Sequence, residues 1–212
     1  MRNPLLTVSK RISWLFILSL TLIVHSAQSE TKLLILGDSL SAGYGLEIED
    51  AWASKIQKNW SAQQTDIKLI NASVSGETTQ GGLNRLPNLL KQHQPDYVFV
   101  ELGGNDGLRG IQLPVIKQNL IQIVQLIEQN NAQPILAEIK IPPNYGPRYL
   151  KIFIQQFSDI AQQFAIPLVP FFIEDIAAQP QFMMKDGIHP NKEAQPIIAK
   201  KMQQVFEEII KR

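Results

Sequence analysis

Lys32-Leu33-Leu34-Ile35-Leu36-Gly37-Asp38-Ser39-Leu40-Ser41 is the stretch on which the fold turns. Its apolar run, Leu33 to Leu36, is compact, does not alternate with polar residues and stops at a glycine. That pattern reads as a strand buried on both faces. The strand then gives way at once to small polar residues.

The same alternation continues downstream. Ala51 to Gln63 reads as a helix, with Trp52, Ile56 and Trp60 at four-residue spacing. Ile67 to Ile70 is a second strand, and Gln80 to His93 a helix with Leu83, Leu86 and Leu90 on one face. Tyr97 to Val100 is a third strand. Pro114 then opens a helix carrying the stripe Ile116, Leu120, Ile123, Val124 and Ile127. A fourth strand is expected over Pro134 to Ile139, a helix over Tyr149 to Phe164 with Ile152, Phe153, Phe157 and Ile160, and a short strand at Pro167 to Val169. The last helix shows Ile198, Met202, Val205 and Ile209. Five strands separated by helices predict an α/β three-layer sandwich: a flavodoxin-like, mostly parallel five-stranded sheet with helices on both faces. Right-handed crossovers bring the loops that follow the strands to one edge, where such proteins build sites.

At 212 residues the chain suffices for one domain with a full core. Arg2, Lys10 and Arg11 precede a mostly apolar stretch from Ile12 to Val24 and the small residues around Ser26-Ala27-Gln28-Ser29. This reads as a secretory signal over residues 1–29, with the folded domain over 30–212 and a periplasmic or extracellular destination. A permanent membrane anchor is the alternative, but the apolar run is short for the roughly 20 residues a spanning helix needs. Without those three cations the 20 basic residues fall to 17 against 19 acidic ones, a balance of −2. No electrostatic footprint for nucleic acid remains. With no cysteine there is no disulfide, thiol nucleophile or lipid attachment point. Nothing in the pattern calls for an obligate dimer, and a monomer is expected.

Polar residues collect just after predicted strands: Gly37-Asp38-Ser39-Leu40-Ser41, Asn71-Ala72-Ser73-Val74-Ser75-Gly76, Glu101-Leu102-Gly103-Gly104-Asn105-Asp106, and finally Asp186-Gly187-Ile188-His189-Pro190-Asn191. In this order they resemble the four signature blocks of the SGNH (GDSL) hydrolases, in particular the bacterial thioesterase, lysophospholipase and arylesterase type. The resemblance spans the chain from Thr31 to the final helix.

The residues support a chemical reading of their own. A serine hydroxyl is a poor nucleophile until a base takes its proton. Of three histidines, His25 lies in the signal and His93 near a helix end, whereas His189 sits in a loop with Asp186 three residues earlier. Asp186 can accept from the imidazole, fixing its tautomer and stabilising the imidazolium. His189 is therefore the candidate base, and the resemblance implies Ser39 as the nucleophile. Position 41 is serine, which departs from the Gly-x-Ser-x-Gly elbow of α/β-hydrolases. The family resemblance implies three oxyanion donors: the N–H groups of Ser39 and Gly76 and the Asn105 amide. Gly76 is expected there because a backbone so close to substrate leaves no room for a Cβ. Asp38 and Asp106 read as loop stabilisers. Glu101 invites a paired-carboxylate glycosidase reading, which is disfavoured.

No cofactor is expected. Two histidines outside the signal and no cysteine disfavour a metal site, and no phosphate-binding glycine loop is present. The resemblance implies a small ester, acyl thioester or lipid substrate: aryl esters, fatty acyl thioesters and lysophospholipids. Leu108 and Ile111, after the third strand, and Ile141 and Pro142, after the fourth, are candidates for an acyl groove. The rival functions are a carbohydrate acetylesterase of the same fold and a non-catalytic lipid-binding protein.

Overall fold

The structure, a computed structural model, describes residues 30–211. The predicted signal therefore lies outside the described residues, and no helix among those described is long and apolar enough to cross a membrane.

Five strands, β1 (Thr31–Gly37), β2 (Ile67–Asn71), β3 (Tyr97–Glu101), β4 (Gln133–Ala137) and β5 (Leu168–Val169), form one parallel sheet in the order β2-β1-β3-β4-β5. β1 is central, which explains its unbroken apolar run: Leu33, Leu34, Ile35 and Leu36 are all buried, as residues on both faces of an interior strand must be. Its register places Gly37 beside Glu101 of β3.

Eight helices occur among the described residues: α1 (Ser39–Ala42), α2 (Trp52–Ala62), α3 (Thr79–His93), α4 (Gly104–Leu108), α5 (Leu113–Gln129), α6 (Pro147–Phe164), α7 (Glu174–Ala177) and α8 (Gln195–Ile210). Helix α2 packs on α8, while α3, α5 and α6 pack in sequence on one another. The two groups cover opposite faces of the sheet, as right-handed crossovers require. On the α2–α8 side, Phe99 of β3 meets Phe206 edge-on at 5.1 Å and lies within 6.4 Å of Phe172. On the other side Phe153 and Phe157 of α6 meet edge-on at 5.5 Å.

The structure departs from the sequence reading in several places. Phe206, not Val205, enters the core from α8, and Val205 is only half-buried. Ile152, assigned to the apolar stripe of α6, is exposed. Strand β4 ends at Ala137, two residues early, although Ile139 stays buried. Helices α1, α4 and α7, of four or five residues each, are too short for a periodic signal.

Candidate active site

Ser39 is the first residue of α1. Asp38 caps that helix, its Oδ1 accepting from the Leu40 N–H at 3.1 Å, and Gly43 ends it in a left-handed conformation. A serine at a helix start has no intrahelical partner for its N–H. Ser39 N–H is accordingly unpaired by protein groups among the described residues.

From the far end of the chain, His189 brings Nε2 to 2.8 Å from Ser39 Oγ, across 150 positions of sequence. Its Nδ1 lies 2.7 Å from Asp186 Oδ2. The two contacts assign the tautomer: Nδ1 carries the hydrogen that Asp186 accepts, and Nε2 is free to accept from the serine. The Asp186 loop is built locally. Oδ1 accepts from the backbone N–H groups of Ile188 and His189 at 2.9 and 3.0 Å, and Gly187 turns at φ +69°. Burial works to raise the Asp186 carboxyl, but the His189 ring and those two N–H groups outweigh it and hold it at about 2.

The loop is also pinned from outside. Gln195, at the start of α8 and almost fully buried, donates to the Pro190 carbonyl at 3.2 Å and accepts from the Trp52 N–H at 3.0 Å. Asn191 donates to the Gln181 carbonyl. Tyr44 lies over the imidazole, ring centroids 4.3 Å apart.

The loop after β2 turns at Gly76, with Glu77 N–H donating to the Val74 carbonyl at 3.1 Å and Gly76 at φ +79°. That conformation selects glycine. Space does not, because a Cβ there would meet nothing nearer than Arg109 Nη2 at 3.5 Å. Arg109 Nη2 donates to the Gly76 carbonyl at 2.8 Å, and the Gly76 N–H has no protein acceptor among the described residues. Asn105, in α4, donates one amide hydrogen to Asp38 Oδ2 at 3.0 Å and keeps the other. Asp106, fully buried, accepts from Thr79 N and Oγ1 at 2.9 and 2.5 Å, so it ties α4 to the start of α3.

Glu101 does not face a second carboxyl across an open cleft. It is fully buried beneath α1, its Oε2 accepting from Ser41 Oγ at 2.7 Å and Asp38 N–H at 3.2 Å. The glycosidase arrangement, with two carboxyl groups flanking a bound sugar, is thereby unsupported. His93 closes the last turn of α3, away from these groups. Among the described residues no group of three or more His, Asp or Glu side chains could hold a metal ion.

Beside Ser39, Asn105 and His189 opens a pocket of about 410 Å³. Leu108, Ile141 and Pro142 line it, as the sequence suggests; Ile111 does not line it and packs, partly buried, against the core. The rest of the wall went unread. Phe171, Ile173 and Ala177 come from the segment after β5, and Met183 and Ile188 from the approach to His189. The rule that loops following strands reach the site edge pointed to Phe171 and Ile173, but β5 is only two residues long. Lys140 and Glu174, also on the wall, pair at 2.5 Å.

Residues 35–196 match the GDSL-like lipase/acylhydrolase family. The chain belongs to that family. It is 50% identical, over 86% of its own length and 86% of the relative's, to thioesterase 1/protease 1/lysophospholipase L1 of Escherichia coli (strain K12). To an arylesterase of Vibrio mimicus it is 47% identical over 82% of its length and 87% of the relative's. The psychrotrophic esterase EstA from Pseudoalteromonas sp., solved in a form inhibited by monoethylphosphonate, superposes with a TM-score of 0.84 at 46% identity. That match covers 86% of this chain and all of EstA.

Proposed function

We propose that the chain is a serine hydrolase that cleaves carboxylic esters and acyl thioesters through an acyl-enzyme on Ser39. The observation that carries the reading is the hydrogen-bonded line Ser39–His189–Asp186, at 2.8 and 2.7 Å, beside a largely apolar pocket. Ser39 Oγ attacks the carbonyl carbon while its proton passes to His189 Nε2. The tetrahedral oxyanion takes hydrogen bonds from the N–H groups of Ser39 and Gly76 and the free amide hydrogen of Asn105. Collapse expels the alcohol or thiol, which leaves with the proton from His189. Water then attacks the acyl-serine with His189 again as base, and releases the acid. Asp186 stays ionised throughout and stabilises the imidazolium.

The pocket supports an acyl group with an apolar chain, and the names of the relatives support aryl esters, acyl thioesters and lysophospholipids as the substrate class. Action in the periplasm, after export, is part of the reading and rests on the apolar segment before residue 30. The test is a panel of nitrophenyl esters from acetyl to palmitoyl, with acyl thioesters alongside, run on the mature protein and its Ser39→Ala variant. Turnover of medium or long chains, absent from the variant, is expected. Activity confined to acetyl esters would favour a carbohydrate acetylesterase. No turnover, and no labelling of Ser39 by a fluorophosphonate, would favour a lipid-binding protein.

A further inference from the structure

Among the described residues Glu101 has no counter-cation. Burial is complete, and among the described residues neither Glu101 nor Asp38 forms an ion pair or hydrogen bond with any Lys or Arg. The groups that face it are Ser41 of α1, the Asp38 N–H and carboxyl at the β1–α1 junction, and Ser73 Oγ of the loop after β2. Ser73 Oγ and Glu101 Oε2 both lie 2.8 Å from where a Cβ on Gly37 would stand. Beyond Asp38 come the Asn105 amide and the His189 imidazole. Oε2 receives two donors, but Oε1 is buried and no donor reaches it. An ionised carboxylate would be left with an unpaired buried oxygen and no balancing charge, a costly state. A protonated carboxyl is instead a donor, and the neighbouring acceptor is the carboxylate of Asp38, whose own backbone N–H already donates to Glu101 Oε2 at 3.2 Å.

We propose that Glu101 is a positioning residue for the hydrolysis described above: it carries the proton of a Glu101–Asp38 carboxyl pair and so holds Asp38 on the Asn105 amide. The proposal rests on that functional reading. Burial pushes the Glu101 carboxyl well above its ordinary range and the neighbouring Asp38 pushes it further, against the pull of the Ser41 hydroxyl. Burial raises Asp38 as well, with Leu40 N–H, Glu101 and the Asn105 amide pulling against it; because the fully buried Glu101 is raised well above its range, the proton is assigned to Glu101 and the charge to Asp38. Sharing the proton spreads the charge of Asp38, which stands one amide away from the developing oxyanion. Loss of that proton would set two buried negative charges beneath the nucleophile and oppose the transition state.

Glutamine at this position keeps both roles: its carbonyl accepts from Ser41 and Asp38 N–H, and its amide donates to Asp38. Glu101→Ala should lower kcat by about 10²-fold with little change in KM, the scale of losing an oxyanion donor, and Glu101→Gln should recover most of it. Wild-type kcat should fall at alkaline pH as Glu101 ionises, and the fall should be absent in Glu101→Gln. The same alkaline fall in both proteins would overturn the proposal, as would failure of glutamine to rescue. Infrared difference spectroscopy of the wild-type protein needs no variant. A protonated-carboxyl band that persists above neutral pH supports the pair, and its absence overturns it. A wild-type protein that shows the band but turns over no ester refutes the functional reading and leaves the carboxyl pair standing.

Discussion

Arg109 holds the carbonyl of Gly76 from its Nη2 at 2.8 Å, so an exposed guanidinium fixes the peptide next to a proposed oxyanion donor. Arg109→Ala frees that turn without opening the core. We expect kcat to drop about tenfold with KM and melting temperature nearly unchanged, less than the roughly 10²–10³ that outright loss of a donor costs. Steady-state kinetics beside a thermal melt tests it, and an unchanged kcat refutes it.

Gly37 admits no side chain. A Cβ there would lie 2.8 Å from both Glu101 Oε2 and Ser73 Oγ and 2.9 Å from Ser41 Cβ, groups packed beneath the helix that begins at Ser39. Gly37→Ala should lose about 1–3 kcal/mol by overpacking and lower fluorophosphonate labelling of Ser39. Urea unfolding and labelling rate measure the two effects. Wild-type stability in the variant would show that the surrounding loop yields freely.

Asp186 gains from its hydrogen bonds only while ionised. Its folded pKa is depressed from 3.8 to about 2, so the stabilisation is present above 3.8 and is lost as pH falls toward 2. Asp186→Asn should melt below wild type at neutral pH, and the gap should close across that acid window. In assays near neutral pH the same variant should lose about 10³–10⁴ in kcat, because the amide no longer enforces the tautomer. A gap that persists at the lowest pH would show that charge is not its source.

Glu101 gives stability the opposite slope. Its folded pKa lies above the ordinary 4.5, so the folded chain keeps a proton that the unfolded chain releases. That contribution is fully present below 4.5 and declines as pH rises toward the folded pKa. The melting temperature of Glu101→Gln relative to wild type should therefore climb as pH rises above 4.5. A flat difference would mean that Glu101 ionises normally.

Legibility in the sequence followed physical signal strength. Leu33 to Leu36 reads as an interior strand because burial on two faces leaves a run without alternation, and all four residues are buried. His189 and Asp186 could be singled out by the scarcity of histidine and the short loop they share, Ser39 by the family resemblance, and the structure brings the three into contact. Other features carry no local mark. Phe206 and Val205 are adjacent apolar residues, and only the packing of α8 on α2 decides between them. Ile111 and Ile141 are equally apolar, yet only Ile141 lines the pocket. Glu101 is polar at a strand end, where exposure is the default, and its burial depends on the Gly37 register partner. Arg109 and Tyr44 act on residues dozens to more than a hundred positions away.

The Gln195 side chain clasps Pro190 on one side and Trp52 on the other. The proposed nucleophile follows β1, while the loop that carries its proposed base is tied through Gln195 to α8 and α2. Under the proposed function, the two halves of the site meet only when α8 is docked on α2. Hydrolysis would then report that docking as well as the chemistry.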